Sequence, residues 1–330
     1  MRDRPDELGA HAGPGGRSNA TRPPSAASKS HTPGASNFHG TVMDLLGAHV
    51  SIAGGIQTAP ARAAALGVTA LQMFTKQPRW WKEPEISEQQ ASTFREERDI
   101  HRIEHVAVHA SYLINSASPD AQLWKRSLRS LIAELERCHA IGADYLVIHP
   151  GSATDGDRLA GLRRNADAVA RAITDVRPET TVLMECTTGR GNVLGGDPHE
   201  LGEIITRVRE SGIEPSDIQV CLDSCHMYSF GFDLRREYCA AMEQWDEALG
   251  LHNVALWHMN DSQGTLGSTV DRHAHIGQGA IGPEGFFQIV TDPRWAKTPM
   301  LLETPKDSDP VLADRRNIAA LRSLRETGQM

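Results

Sequence analysis

SPDAQLWKRSLRSLIAELERCHAIG (118–142), with YLVIHP (145–150) only two residues behind it, decides the fold. The first stretch opens on polar residues and carries Leu123, Leu128, Leu131, Leu135 and Cys138 on one helical face. Gly142 stands at its end, where a helix commonly stops. The second is short and mostly apolar, as a strand buried on both faces should be. The same unit recurs outward in both directions. Upstream are LLGAHV (45–50), TALQMF (69–74) and HVAVHA (105–110); downstream are TVLMEC (181–186), IQVCLD (218–223), VALWHM (254–259) and PMLLET (299–304). GDRLAGLRRNADAVARAITDV (156–176) and PHELGEIITRVRESG (198–212) repeat the helical design. Eight strands alternating with helices imply parallel strands joined by crossovers. Their number and the remaining length, 43–330, predict an α/β fold of the closed (β/α)8 TIM-barrel type, in one domain. A doubly wound open sheet is the rival, but no GxGxxG or P-loop follows any strand.

Composition narrows the class further. No run approaches eighteen consecutive apolar residues, so no membrane-spanning helix is expected. Five cysteines, at 138, 186, 221, 225 and 239, fit neither a secreted disulfide scaffold nor zinc-ribbon pairs, and reduced thiols in the cytoplasm are expected. Residues 1–42 hold 6 Gly, 5 Pro, 5 Ser and 6 Ala with few apolar residues, which predicts a disordered extension or a mis-assigned start at which Met43 is the true initiator. An arm touching nucleic acid is the other reading of this weakly basic stretch. It has no apolar h-region, so no signal peptide is expected.

The ends of the strands carry the chemistry. The third run ends at His109, the fourth at His149, the fifth at Glu185, the sixth at Asp223, the seventh at His258 and the eighth at Glu303. In a barrel these C-terminal ends converge on one mouth. One histidine there is ordinarily a hydrogen-bonded rim residue. Six imidazoles and carboxylates together need compensation, because uncompensated buried carboxylates are costly. Two neighbouring clusters add to them: Asp223 and His226, across a turn in DSCH, and Asp271 and His273 in VDRHAH. Nine His, Asp and Glu candidates at three to four ligands per ion suggest about three Zn2+, with Mn2+ or Fe2+ as substitutes. Several ions suit phosphodiester hydrolysis, whereas sugar isomerisation needs one ion and four ligands.

At these residues the chain resembles a known family. GAHVSIAGG (47–55), MFTKQPRWW (73–81), HASYLIN (109–115), IHPGS (148–152), ECTTGRG (185–191), VCLDSCH (220–226), GFDL (231–234), HMNDSQGTLGSTVDRHAHIGQGAIG (258–282) and LLET (301–304) are similar to endonuclease IV, the zinc-dependent apurinic/apyrimidinic endonucleases. The likeness implies a trinuclear zinc site. His109, His149 and Glu185 would hold the first ion. Glu185 would bridge to a second, held also by Asp223, His258 and Glu303. His226, Asp271 and His273 would hold the third. It further implies that Glu303 helps orient the attacking water, and that Arg79, Tyr112 and Leu113 wedge into the minor groove of abasic double-stranded DNA. The product would carry a 3′-hydroxyl and a 5′-deoxyribose phosphate, and the enzyme would be a monomer. The chain departs from the pattern at Cys186, Arg190, Gln263, Thr269 and Gln278. None of these is an implied ligand, so the departures bear on tuning and DNA contact.

The remaining tempting residues read more plainly. His49 is near the rim without being a ligand, and His105 begins its strand at the far end. His275 competes with His273 on reach, but the DRH spacing favours His273. Cys221 and Cys225 are packing residues, and His101, His139, His199 and His252 lie on the surface. Lys76, Arg79, Lys82, Arg190, Arg272 and Lys306 all follow strand ends, which predicts a cationic rim on a chain of net charge −8. Three functions stand at this point. They are the abasic-site endonuclease, a one-metal isomerase or epimerase using Glu185, Asp223, His258 and Glu303, and a non-catalytic binder of damaged DNA.

Overall fold

The computed structural model describes residues 45–329; the extension expected over 1–42 lies outside them. The eight expected runs form β1 (Leu46–His49), β2 (Ala70–Met73), β3 (His105–His109), β4 (Tyr145–Ile148), β5 (Thr181–Glu185), β6 (Ile218–Asp223), β7 (Val254–His258) and, last in the barrel, β10 (Met300–Leu302). All pair in parallel, and the β1–β10 register (Leu46 with Met300, Gly47 with Leu301) closes the sheet into a barrel. A two-residue antiparallel ladder, β8 (Asp261–Ser262) with β9 (His273–Ala274), interrupts the loop after β7. It pins the ends of the 263–272 excursion close to the barrel mouth.

Helices α1 (Ala59–Leu66), α2 (Glu88–Ile100), α3 (Ala121–Ile141), α4 (Arg158–Val176), α5 (Pro198–Glu210), α7 (Tyr238–Leu249), α8 (Gly282–Thr291) and α9 (Pro310–Thr327) accompany the strands. The stretches read as amphipathic become α3, α4 and α5, and each starts on an aspartate. Asp120, Asp157 and Asp197 accept first-turn N–H groups left without partners inside the helix. Gly142 ends α3 in the left-handed region, φ 67°. None of the helices among the described residues is long and apolar enough to cross a membrane.

The barrel interior explains why the chemistry sits where it does. Ala70, Ala107, Val147, Leu183, Cys221, Leu256 and Leu301, one from each of seven strands, form a buried layer. Gly47 holds the same register on β1, where an added Cβ would lie 2.4 Å from the Leu301 side chain and 2.3 Å from the Ala70 carbonyl oxygen. Side chains alternate along a strand, so the residue two positions further on points inward again. Applied to every strand, this gives His49, Gln72, His109, His149, Glu185, Asp223, His258 and Glu303. They form the next layer, at the mouth.

Candidate metal centre

Glu185 sits in the middle of that layer, fully buried. Its Oε2 lies 3.1 Å from His109 Nε2 and 3.0 Å from His149 Nε2. Its Oε1 lies 3.0 Å from His258 Nδ1 and 3.3 Å from His226 Nδ1. One carboxylate therefore meets imidazoles from three strand ends and one helix.

That helix, α6 (Ser224–Phe230), stands where the sequence suggests only a turn in DSCH. Asp223 caps it, its Oδ1 accepting the His226 N–H at 2.7 Å. The first helical turn then aims the His226 ring at Glu185 and at Asp271, whose Oδ1 is 3.2 Å from His226 Nε2. Asp271, at the end of the excursion, and His273, at the start of β9, come together, Asp271 Oδ1 lying 3.6 Å from His273 Nε2. All nine candidates are thus brought together. They fall into three groups whose potential ligand atoms lie within 4.8 Å of one another: His109, His149 and Glu185; Glu185, Asp223, His258 and Glu303; His226, Asp271 and His273. Cys225 enters a further such group with Asp223 and His273, although burial pushes its thiol up to about 12.

The hydrogen bonds decide what these groups are built for. His109 Nδ1 donates to the Ala110 carbonyl (2.8 Å), His226 Nδ1 to the Cys186 carbonyl (2.9 Å) and His273 Nδ1 to the Glu303 carbonyl (3.0 Å). A carbonyl only accepts, so each neutral ring is left with its lone pair on Nε2, facing carboxylates. His258 is turned the other way. Its Nε2 donates to Gln72 Oε1 at 2.8 Å, and Nδ1 faces Glu185, Glu303 Oε2 at 3.3 Å and Asp223 Oδ2 at 3.8 Å. Lone pairs facing carboxylate oxygens require a positive charge between them. His273 Nε2 is buried without any hydrogen-bond partner, the atom a cation would satisfy. The donor set of imidazoles and carboxylates therefore fits divalent metal.

The crowding of acids and imidazoles also shows in their proton affinities. Burial pushes the His226 and His258 rings towards neutrality, but the surrounding acidic groups, Asp223 foremost for His226, raise both well above the ordinary value. Burial likewise opposes charge on Glu185, yet His258, His149 and His109 hold it well below the usual carboxylate range. Asp271 falls to about 2, burial being outweighed by His226 and His273.

Three residues escaped the sequence reading. Gln72 Nε2 donates to Glu303 Oε1 at 2.6 Å while Oε1 holds His258. Asn260 Nδ2 donates to Asp223 Oδ2 at 2.6 Å, and its Oδ1 accepts the Glu303 N–H at 2.8 Å. Asp261 accepts N–H groups of Ser262, Gly279 and Ile281 and so folds the loop back on itself. The signal for Gln72 was available: it is the lone amide in TALQMF, at an inward position of an otherwise apolar strand.

The DNA-facing candidates lie beside the centre. Arg79 is exposed, Leu113 is half-buried, and Tyr112 is half exposed with its ring 5.5 Å from His109 and 6.4 Å from His149. Trp80 is 63% exposed, whereas Trp81 lies 4.4 Å beneath the Arg126 guanidinium. The cationic rim needs correction. Lys76 is buried, its Nζ 2.5 Å from Glu83, and Lys306 is paired with Asp314 at 2.7 Å. Both charges are committed within the fold. His101, read as surface, is half-buried beside Glu97 at 3.2 Å. His275 turns to Asp307 and Asn317 instead of the centre.

Of the departures, Cys186 Sγ accepts the Asp223 N–H at 3.0 Å and Gln263 Nε2 donates to the His273 carbonyl at 2.8 Å, so both touch the backbone of candidate ligands. Thr269 adopts φ 56°, a strained region for a β-branched residue. Arg190 and Gln278 are exposed.

Comparison with known proteins covers most of the described residues. The family model of xylose isomerase-like TIM barrels matches residues 60–326. "Probable endonuclease 4" of Chloroflexus aurantiacus is 42% identical over 285 residues, covering 86% of this chain and 98% of that protein. The crystal structure of endonuclease IV from Thermus thermophilus superimposes with a TM-score of 0.75 at 34% identity, covering 84% of this chain and 98% of the other. The chain belongs to the endonuclease IV family. It is accordingly an enzyme of the nuclease class. A D-tagatose 3-epimerase-like protein shares the barrel with this family member at TM-score 0.64, but at 16% identity that likeness extends to the fold alone.

Proposed function

We propose that this endonuclease IV family enzyme repairs DNA by hydrolysing the phosphodiester bond 5′ to abasic sites in duplex DNA, leaving a 3′-hydroxyl and a 5′-deoxyribose phosphate. The observation that carries the reading is the convergence of nine imidazole and carboxylate side chains in three groups, two of which share Glu185. About three Zn2+ would be held there, with Mn2+ or Fe2+ as substitutes: one by His109, His149 and Glu185, one by Glu185, Asp223, His258 and Glu303, one by His226, Asp271 and His273. Bound ions of this kind acidify water and neutralise phosphate oxygens as charge develops.

The chain's own groups supply the positioning. Glu303 is held at both ends, its carboxylate by Gln72 and its backbone N–H by Asn260. A carboxylate so fixed orients an attacking water and accepts its proton. Glu185 turns one oxygen to His109 and His149 and the other to His258 and His226, so it is placed to bridge two of the ions. Arg79, Tyr112 and Leu113 would enter the minor groove at the lesion and open the stack. The missing base lowers the cost of turning the sugar out, which is a physical source of selectivity. The enzyme would act as a monomer on chromosomal DNA in the cytoplasm.

A single ion on Glu185, Asp223, His258 and Glu303 would serve a sugar isomerase, but it leaves His109, His149, His226, Asp271 and His273 without purpose. The deciding experiment combines a metal count with incubation on an abasic oligonucleotide, with and without chelator. About three ions per chain and chelator-sensitive incision are expected. One ion per chain, or an intact oligonucleotide, would overturn the proposal.

A further inference from the structure

Beyond the mouth, between α3 and the loop joining β2 to α2, lies a ring of charges that no step above uses. Lys76 Nζ donates to Glu83 Oε1 at 2.5 Å and to Ser130 Oγ at 2.9 Å, and Ser130 Oγ donates in turn to Glu83 Oε1 at 2.7 Å. Arg137 Nη2 lies 2.9 Å from Glu83 Oε2 and 2.8 Å from Glu134 Oε2. Arg137 Nε donates to Thr75 Oγ1 at 2.8 Å, and that hydroxyl donates to Glu134 Oε2 at 2.5 Å. Two cations and two anions are therefore matched, with two hydroxyls relaying between them. The side chains of Lys76 and Glu134 are only 2% and 1% exposed.

The placement of the ring is the informative part. Thr75 and Lys76 are the last residues before the loop tip, and Glu83 is the first after it. Ser130, Glu134 and Arg137 all come from α3. Both stems of the 77–82 segment are thus tied to one helix. Between the stems lie Arg79 and Trp80, both exposed. Arg79 makes no hydrogen bond or ion pair with any described residue, so the loop backbone is what places the root of its side chain. The tip's own anchors are few: the Pro78 carbonyl accepts Tyr112 N–H at 3.1 Å and Ser111 Oγ–H at 2.8 Å, and Trp81 rests under Arg126. Buried ion networks add little stability over apolar packing of equal volume, but withdrawing one member leaves its counter-charge buried and unpaired, which is strongly unfavourable.

We propose that Lys76, Glu83, Glu134 and Arg137 are positioning residues for DNA: their buried ring clamps both stems of the 77–82 loop to α3 and so fixes the approach of Arg79 to the duplex. The clamp rests on the reading of Arg79 as a DNA contact and adds a set of residues that touch neither substrate nor candidate ligand. It also explains why Lys76, three residues past the end of β2, is held inside the fold. A loop preset in its bound form spares the ordering cost that a free loop would meet on binding.

The test uses the full metal-loaded chain carrying Glu83→Gln, at the half-exposed edge of the ring, or Glu134→Gln at its buried centre. Two readouts are taken: amide hydrogen exchange by peptide, and kinetics on an abasic duplex alongside a small phosphodiester such as bis(4-nitrophenyl) phosphate. The clamp requires faster exchange over 77–86 with the barrel strands unchanged, and KM for the duplex raised about tenfold at constant kcat. Small-diester hydrolysis should stay at the parent level, and Glu83→Asp should recover part of the KM. Unchanged exchange over 77–86, or equal losses on both substrates, would overturn it. Should the parent itself leave abasic DNA intact, the functional reading fails, while local exchange still decides whether the ring holds the loop.

Discussion

At the scale of single residues, the amide of Gln72 does more than fill space. By accepting from His258 Nε2 it leaves Nδ1 bare towards Glu185, Asp223 and Glu303, and by donating to Glu303 it fixes that carboxylate as well. Gln72→Met keeps the volume and removes both bonds. Metal affinity is expected to fall about 10- to 100-fold, read by competition against a chromophoric chelator; unaltered affinity would remove Gln72 from the account. The contrast with Glu303 shows what a sequence can display. Glu303 follows an apolar run and advertises itself as a carboxylate at a strand end. Gln72 acts through residues 186 and 231 positions away, and nothing local says which partners the barrel register will bring. Counting two residues beyond the inward layer on every strand would have found it, because Gly47 and Ala70 set the register for His49 and Gln72 as surely as Leu183 does for Glu185.

At the scale of elements, helices α3 to α5 were legible because each repeats an apolar face at helical spacing, and the structure adds an aspartate cap to each. The short α6 was not: seven residues hold no periodicity to read, and its start doubles as the Asp223 candidate ligand. The loop after β7 depends on Asp261, which takes several backbone N–H groups out of solvent and so carries Asp271 and His273 to the mouth. Asp261→Ala strands those donors and is expected to cost roughly 2–4 kcal/mol, measurable by urea denaturation, with loss of bound metal in step. The α3 clamp makes a prediction with pH. Burial opposes charge on Glu83, but Lys76, Ser130 and Arg137 outweigh it and hold the carboxyl below its ordinary 4.5. A folded value below the unfolded one means that the contribution is complete above pH 4.5 and is lost as pH falls through the folded value. The stability gap between parent and Glu83→Gln should therefore be full at about pH 7 and close as pH falls below 4.5 and through the folded value. A gap independent of pH would mean that the charge on Glu83 is not what the ring uses.

For the whole molecule, a net charge of −8 and a polyanionic substrate are in tension. The cationic rim read from the sequence does not remove it, since Lys76 and Lys306 are neutralised by Glu83, Glu134 and Asp314. Of the cations that follow strand ends, Arg79, Lys82, Arg190 and Arg272 stay exposed, and the centre itself carries four carboxylates, Glu185, Asp223, Asp271 and Glu303. With neutral histidines as ligands, three dications would turn these four carboxylates from −4 to about +2. The fold supplies positions, and the ions would supply the sign of the field. Two consequences separate this from a wedge acting alone. Chelation should abolish tight binding of abasic duplex along with incision, and undiminished affinity of the stripped protein would show that the field is not needed. Replacing Arg79 and Leu113 together should instead weaken duplex binding while small-diester hydrolysis persists, because the wedge touches DNA and not the reacting phosphate; parallel losses on both substrates would assign those side chains to the integrity of the mouth.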